Sequence, residues 1–300
     1  MRLNIKSLCR KTLLKVGANT MLKYINILLD DASMSFCHYD VKKVAMPIPE
    51  NILQEGIRFS MKENLNIQFI YPTHRLPGYV ENAVNQIDHI KIGTGDVFIY
   101  DTWPKHFELD KICVLRLTKG ELLSHPLPES LPVRLNIVIR DIDTFNTNDF
   151  TKYKKWLDRE AKRIQKNFQQ VNILSDRINL DKMNNCNAGW ESITLAPDGK
   201  FYICPAFYQD NLGDVGDLKN GINIPNPQLY RLDHAPICSH CDAYQCRRCI
   251  WLNLKTTLEV NTPSHEQCVV SHLERNASRI INSENIPEIN YLDPFDIIEK

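Results

Sequence analysis

Four cysteines within twelve residues, Cys238, Cys241, Cys246 and Cys249, constrain this chain more than any other stretch. Cys186 and Cys204 precede them and Cys268 follows, so seven of the ten cysteines lie between positions 186 and 268. Thiolates are soft, electron-rich donors, and such a density suits disulfides, zinc or iron–sulfur clusters. Each use asks for different surroundings.

Disulfide frameworks belong to small secreted domains that cannot build a core. A chain of 300 residues, 43% hydrophobic and without a secretory pattern, can bury one, and seven is an odd number to pair. A four-cysteine zinc site sets its two CxxC knuckles about 15–20 residues apart. Here only Asp242 to Gln245 separate them. That crowding is nearer the ferredoxin habit, in which three cysteines of a run hold one cluster and the fourth turns to another. Cys186, Cys204 and Cys268 then supply further ligands. Zinc stays as the alternative: an ion that folds the C-terminal third into a peptide- or protein-interaction module without a redox role.

Around the cysteines, Ser192–Leu195 and Lys200–Ile203 flank Ala196-Pro-Asp-Gly199, which predicts a β-hairpin turning at Asp-Gly, with Cys186 and Cys204 at its open end. A cysteine, a stretch ending in Gly-x4-Cys, a tight four-cysteine run and one late cysteine together resemble the SPASM domain. That domain is the auxiliary iron–sulfur module of many radical S-adenosylmethionine peptide maturases. The tight run is one residue shorter than that pattern in each of its last two gaps. The wording from Cys246 to Ser278, and from Ile25 to Asp40 and Ile52 to Pro72, is similar to the CXXX repeat peptide maturase family, and this likeness runs from about Met21 through nearly the whole chain.

The resemblance implies two 4Fe–4S clusters. Cys238, Cys241, Cys246 and Cys268 would hold one; Cys186, Cys204 and Cys249 would hold the other, leaving one iron open to a non-cysteine ligand or a substrate thiolate. It implies an α/β fold in which a partial or open (β/α) barrel-like domain precedes the cysteine-rich SPASM-like domain. The expected divisions are a basic lead-in over 1–20, a degenerate radical-enzyme-like domain over 21–180, the cluster domain over 181–282 and a C-terminal strap over 283–300. The implied partners are a cysteine-repeat precursor peptide made on the ribosome and a separate radical S-adenosylmethionine enzyme.

The N-terminal half fits that fold by its own pattern. Strands are expected at Tyr24–Leu29, Ile67–Tyr71, Asp96–Tyr100, Ile112–Leu117, Leu135–Ile139 and Val171–Ser175. Helices are expected over Glu50–Asn64, over Tyr79–Ile87, and from a cap at Thr147 or Asn148 through Phe168. Strands alternating with helices argue for a parallel sheet. A true radical enzyme places CxxxCxxC after its first strand. The matching loop here has Ser33, Cys37 and Asp40, and one cysteine cannot hold such a cluster. This counts against S-adenosylmethionine chemistry by this chain, and Cys37 is expected to sit in a degenerate structural loop.

The remaining features are bland. With 36 basic and 36 acidic side chains there is no global field toward nucleic acid or membrane, and no apolar run is long enough to span a bilayer. The cytoplasm, where thiols stay reduced, is the expected compartment. The basic run at Lys152–Lys166 is expected on a solvated helix face, and Cys113 as a small buried hydrophobe. Of the histidines, His240 and His265 stand next to cysteines and are candidates to tune a cluster by hydrogen bonding. Trp190 and Trp251 are expected to shield clusters from water.

Overall fold

The structure, a computed structural model, describes residues 22–165 and 169–281. The expected lead-in segment with Cys9, Phe168 at the end of the long helix, and the C-terminal strap lie outside them. Along the chain run β1 (Tyr24–Leu28), α1 (Glu50–Lys62), β2 (Asn66–Ile70), α2 (Gly78–Val84), β3 (Ile90–Gly93), β4 (Val97–Tyr100) and β5 (Ile112–Leu117). Then come α3 (Lys119–Ser124), β6 (Arg134–Ile139), α4 (Thr147–Ile164), α5 (Asn172–Asn179), β7 (Ser192–Leu195) and β8 (Phe201–Tyr202). The last elements are α6 (Pro205–Gln209), β9 (Gly216–Asp217), β10 (Gly221–Ile222), α7 (Ile250–Thr257) and α8 (His265–Ile281).

Eight strands form one sheet in the order β6-β5-β4-β3-β2-β1-β7-β8, and every pairing is parallel except the β7–β8 hairpin. The protein is thus a mixed α/β fold on a mostly parallel sheet. The first six strands are laid down in sequence order, and β7 adds to the free side of β1. β1 is therefore central, and Ile25, Ile27 and Leu28 are fully buried. The nearly unbroken apolar run of β1 is what a parallel strand covered on both faces requires. Between β3 and β4 three residues suffice for a parallel step, because Gly93 (φ +104°) and Gly95 (φ +79°) turn the chain where a side chain would be strained.

The long helix α4 follows its sequence signal closely. Phe150, Tyr153, Trp156, Leu157, Ala161 and Ile164 are buried on one stripe, while Lys152, Lys154, Lys155 and Lys162 face solvent. Its cap is Asn146 rather than Thr147 or Asn148: the Asn146 side chain accepts from the backbone of Asn148 and Asp149, and the Asp149 side chain answers to Asn146 N.

Val171–Ser175 is not the expected strand. Val171 makes a single parallel bridge to Leu135, and the chain then turns into α5. The Asn172 amide takes the place of a strand residue at the sheet edge, accepting from Ile137 N at 2.8 Å and donating to Ile137 O at 3.1 Å. Its own backbone is left free for the helix, and Ser175 Oγ accepts from Val171 N at 3.0 Å. β3 and α3 carry no expectation from the sequence. Both are short, and β3 is broken by a lysine and a glycine.

Candidate metal centre

Two stretches of backbone bring the cysteines in. Asn184 N donates to Tyr244 O and Cys186 N to Arg247 O, which lays the segment before the hairpin along the tight run. The hairpin itself turns at Asp198-Gly199, with Gly199 at φ +80°, and delivers Cys204 just beyond β8 as the N-cap of α6. Cys249 is the N-cap of α7, and Cys268 lies in the first turn of α8. Cys246 and Cys249 are separated by Arg247 and Arg248, and Arg248 has a left-handed backbone, φ +44°. That reversal sends the two sulfurs to different places.

The result is two groups of four. Cys37, Cys186, Cys204 and Cys249 form the first: a cavity of about 150 Å³ is lined by Cys37, Cys186 and Cys204. A second, of about 70 Å³, is lined by Cys37, Cys186 and Cys249 and also touches Cys246. Cys238, Cys241, Cys246 and Cys268 form the other, all four lining one cavity of about 250 Å³. That is far more than the ~10–15 Å³ that admits a single water. Among the described residues no cysteine is in a disulfide. Nor do three histidine, cysteine, aspartate or glutamate side chains among them converge on a point as the ligands of one ion do.

The electrostatics follow the same division. Burial pushes the thiols of Cys37, Cys204, Cys246 and Cys249 up, and those of Cys238 and Cys268 up to about 12. After burial, neighbouring thiolates push further. Cys186 acts on Cys37; Cys37, Cys249 and Cys186 act on Cys204; Cys246, Cys238 and Cys241 act on Cys268. Nucleophilic cysteines have their thiols lowered toward neutrality by cations or helix ends. Here the direction is opposite, so these are inert thiols until something draws their protons off, as metal binding does.

Cations stand ready for the charge that would follow. Arg248 is fully buried, donating from Nε to Asn185 Oδ1 at 2.8 Å and from Nη2 to Tyr230 O at 2.6 Å, while its Nη1 has no hydrogen-bond partner. Its charge is felt by Cys238, Cys186 and Cys246, which belong to both groups. Arg247 lies over the Phe36 ring and lines the first cavities. On the far side, Asp242 ties Arg275 (2.7 Å) and Arg177 (3.6 Å) beside the second group. The sulfurs also accept weak bonds, from Ala243 N to Cys241 and from Arg248 N to Cys246, both at 3.4 Å.

Cys37 is the residue that sequence reasoning did not group with the others: its loop is structural, as expected, and it also brings Cys37 beside Cys186. The loop after β1 is built firmly. The Asp30 carboxylate accepts from Ala32 N and faces His74 Nε2 at 3.2 Å; Ser33 Oγ accepts from Asp30 N. Tyr39 OH donates to Ser33 O and accepts from Ser35 N; the buried Arg116 donates to Tyr39 O and lies over the Tyr39 ring. His38 Nδ1 meets Ile139 O at 2.8 Å, and burial lowers that imidazole to about 4, so it stays neutral. Ser33 is thus spent on a turn, and Asp40 faces Arg140 at 3.1 Å on the surface. Only Cys37 of the three loop positions turns toward the sulfurs.

The flanking residues divide. His240 lines the second cavity, but His265 is exposed and instead sits edge-on to Phe150. His272, one helical turn beyond Cys268, also lines the second cavity, with Nε2 3.6 Å from Cys241 Sγ. The i, i+4 spacing of Cys268 and His272 on one helix face carried the signal. Trp251 is buried beside Cys249 with its Nε1 on Asp210 at 2.8 Å, whereas Trp190 is half-buried under Arg231. Cys113 is fully buried in β5, apart from both groups. No helix of the described residues is long and apolar enough to cross a membrane. The chain matches no protein-family model and no curated protein sequence.

Proposed function

We propose that this chain is an iron–sulfur protein carrying two 4Fe–4S clusters on a SPASM-like module, and that it serves the maturation of a cysteine-repeat peptide beside a radical S-adenosylmethionine enzyme. The observation that carries the reading is the division of eight buried or half-buried thiols into two fours. Four thiolates are the usual complement of one 4Fe–4S cluster. The residues fit the group in other ways: cations flank the sulfurs, and backbone N–H groups point at Cys241 and Cys246. Burial pushes the thiols of Cys37, Cys204, Cys238, Cys241, Cys246, Cys249 and Cys268 up, so that a metal must displace their protons.

Bound clusters of this kind supply one-electron transfer. The chain's part is to hold them dry and fixed. Six parallel strands in sequence order suit descent from a partial barrel, and a loop with one cysteine in place of three suits a helper whose radical chemistry belongs to a partner. Between the two fours, the small cavity that also touches Cys246 is lined by Gln245 and Gln267, each with a side-chain oxygen lacking a hydrogen-bond partner. Those oxygens would accept from a peptide backbone.

Anaerobic purification with iron, sulfide and zinc analysis tests the metal assignment. Brown protein with about eight irons and matching sulfide is expected; colourless protein with zinc and no sulfide would establish the interaction-module alternative. Co-expression with a radical enzyme and a cysteine-repeat peptide tests the role. Loss of peptide modification when this chain is omitted is expected, and modification unaffected by its omission refutes it.

A further inference from the structure

The two thiol groups need not have equal numbers, yet the structure makes them equal by drawing one residue from far along the chain. We propose that Cys37, from the loop after β1, is the fourth ligand of the first cluster, completing the set with Cys186, Cys204 and Cys249. The inference rests on the iron–sulfur reading above and deepens it.

Three observations carry it. Cys37 and Cys186 line both cavities that open beside the first group, one reaching Cys204 and the other Cys249, the latter also touching Cys246 at the boundary with the second group. The loop that presents Cys37 is fixed on both sides of it. His38 is bound to β6 through Ile139, and Tyr39 is held by Ser33, Ser35 and Arg116. The loop is also tied to the C-terminal module, since Tyr208 OH donates to Asp31 Oδ1 at 2.5 Å and Gln209 Nε2 to Asp31 O at 2.7 Å. Gln209 Oε1 in turn accepts from Lys42 N at 2.9 Å. These bonds run to α6, the helix that Cys204 caps, so Cys37 and Cys204 are positioned by one network.

The consequence is specific. With four thiolates from its own chain, the first cluster has no iron left open for a substrate thiol, unlike a three-cysteine set. It then acts as a closed electron carrier and as a clamp that joins the loop after β1 to the hairpin and to α7. The position that a radical enzyme uses to bind S-adenosylmethionine is given over to joining the two halves of this protein.

Anaerobic reconstitution of the full chain with ferrous iron and sulfide tests this, with Cys37→Ser, Cys37→Ala and, as a cysteine outside both groups, Cys113→Ala. Iron, sulfide and electron paramagnetic resonance spectra are the readouts. The wild type and Cys113→Ala should hold about eight irons. The Cys37 variants should fall to about seven with a three-iron signal, or to about four with a single remaining 4Fe–4S spectrum, the second cluster reporting that the chain has folded. Wild-type iron, sulfide and spectra in both Cys37 variants overturn the proposal while leaving the iron–sulfur reading intact. Loss of both clusters from both variants overturns it too, because a ligand change at the first group should spare the second. A wild type that takes up no sulfide refutes the iron–sulfur reading itself.

Discussion

Replacing Glu274 by glutamine should flatten the pH dependence of folding in the metal-free protein. Glu274 lies on α8, 7% exposed, accepting from Tyr153 OH at 2.8 Å and facing Gln245 Nε2 at 3.5 Å. Burial pushes its carboxyl up to about 8, against the hydrogen bonds that pull it down. In the unfolded chain the same group titrates near ~4.3. Below that, both states hold the proton and pH has no effect through this residue. Between ~4.3 and about 8 the unfolded state releases the proton while the folded state keeps it, so stability falls as pH rises, and the loss levels off above about 8. One proton corresponds to ~1.4 kcal/mol per pH unit, or about 2–3 kcal/mol between pH 5 and 7. In a chain of this size that is on the order of 3–5 °C in Tm. Glutamine cannot ionise, and Gln245 Oε1, which has no hydrogen-bond partner, can take the new amide proton. His38 and His272, both lowered to about 4 by burial, act with the opposite sign below pH ~6.5, but they do so equally in both proteins. Thermal unfolding by circular dichroism from pH 5 to 8, under anaerobic reducing conditions, should therefore show the variant gaining on the wild type as pH rises. Parallel curves would refute the burial argument.

Arg248→Met removes the cation shared by both thiol groups. At an effective dielectric of about 20, a unit charge ~8 Å away contributes about 2 kcal/mol, so reduction potentials measured by redox titration should fall by on the order of 90 mV. Gly199→Ala forces a side chain onto a backbone at φ +80° and places its Cβ 2.8 Å from Ile52 Cδ1. Urea unfolding should register a loss of about 1–2 kcal/mol. Stripping iron with a chelator after reduction should lower Tm, and reconstitution with iron and sulfide should restore it, whereas zinc alone should not.

Much of the fold was legible because its signals are local. β1 and β5 carry apolar runs broken only by Asn26 and Arg116, α1 and α4 carry a 3.6-residue stripe, and Asp198-Gly199 marks the hairpin turn. The failures came where a side chain substitutes for backbone or where distant segments meet. Val171 and Ile173 have the branched side chains of a strand, yet one asparagine amide at the sheet edge converts the segment to helix. The clustering of the C-terminal cysteines was legible in their spacing, and their sorting into groups was what the resemblance implied. Cys37 could not be grouped in this way, because its approach depends on β1 pairing with β7 and on the Asp31–Gln209 bonds, contacts that spacing within the chain does not encode.

The division between Cys246 and Cys249 also bears on how many metal centres the run serves. In a zinc knuckle both cysteines of a CxxC turn toward one ion. Here Arg248 adopts a left-handed backbone, at a cost of about 1–2 kcal/mol for a residue with a Cβ. The chain reverses between the two sulfurs, so that Cys249 starts α7 on one side while Cys246 joins Cys238, Cys241 and Cys268 on the other. Glycine would relieve the strain but would leave no guanidinium between the two sets of sulfur. Asn185 and Tyr230 O grip that guanidinium, so the strained turn and the buried cation are held as one feature. A single zinc ion gains nothing from such a wedge. Two anionic centres separated by one buried positive charge do, since each is stabilised by the arginine and partly screened from the other.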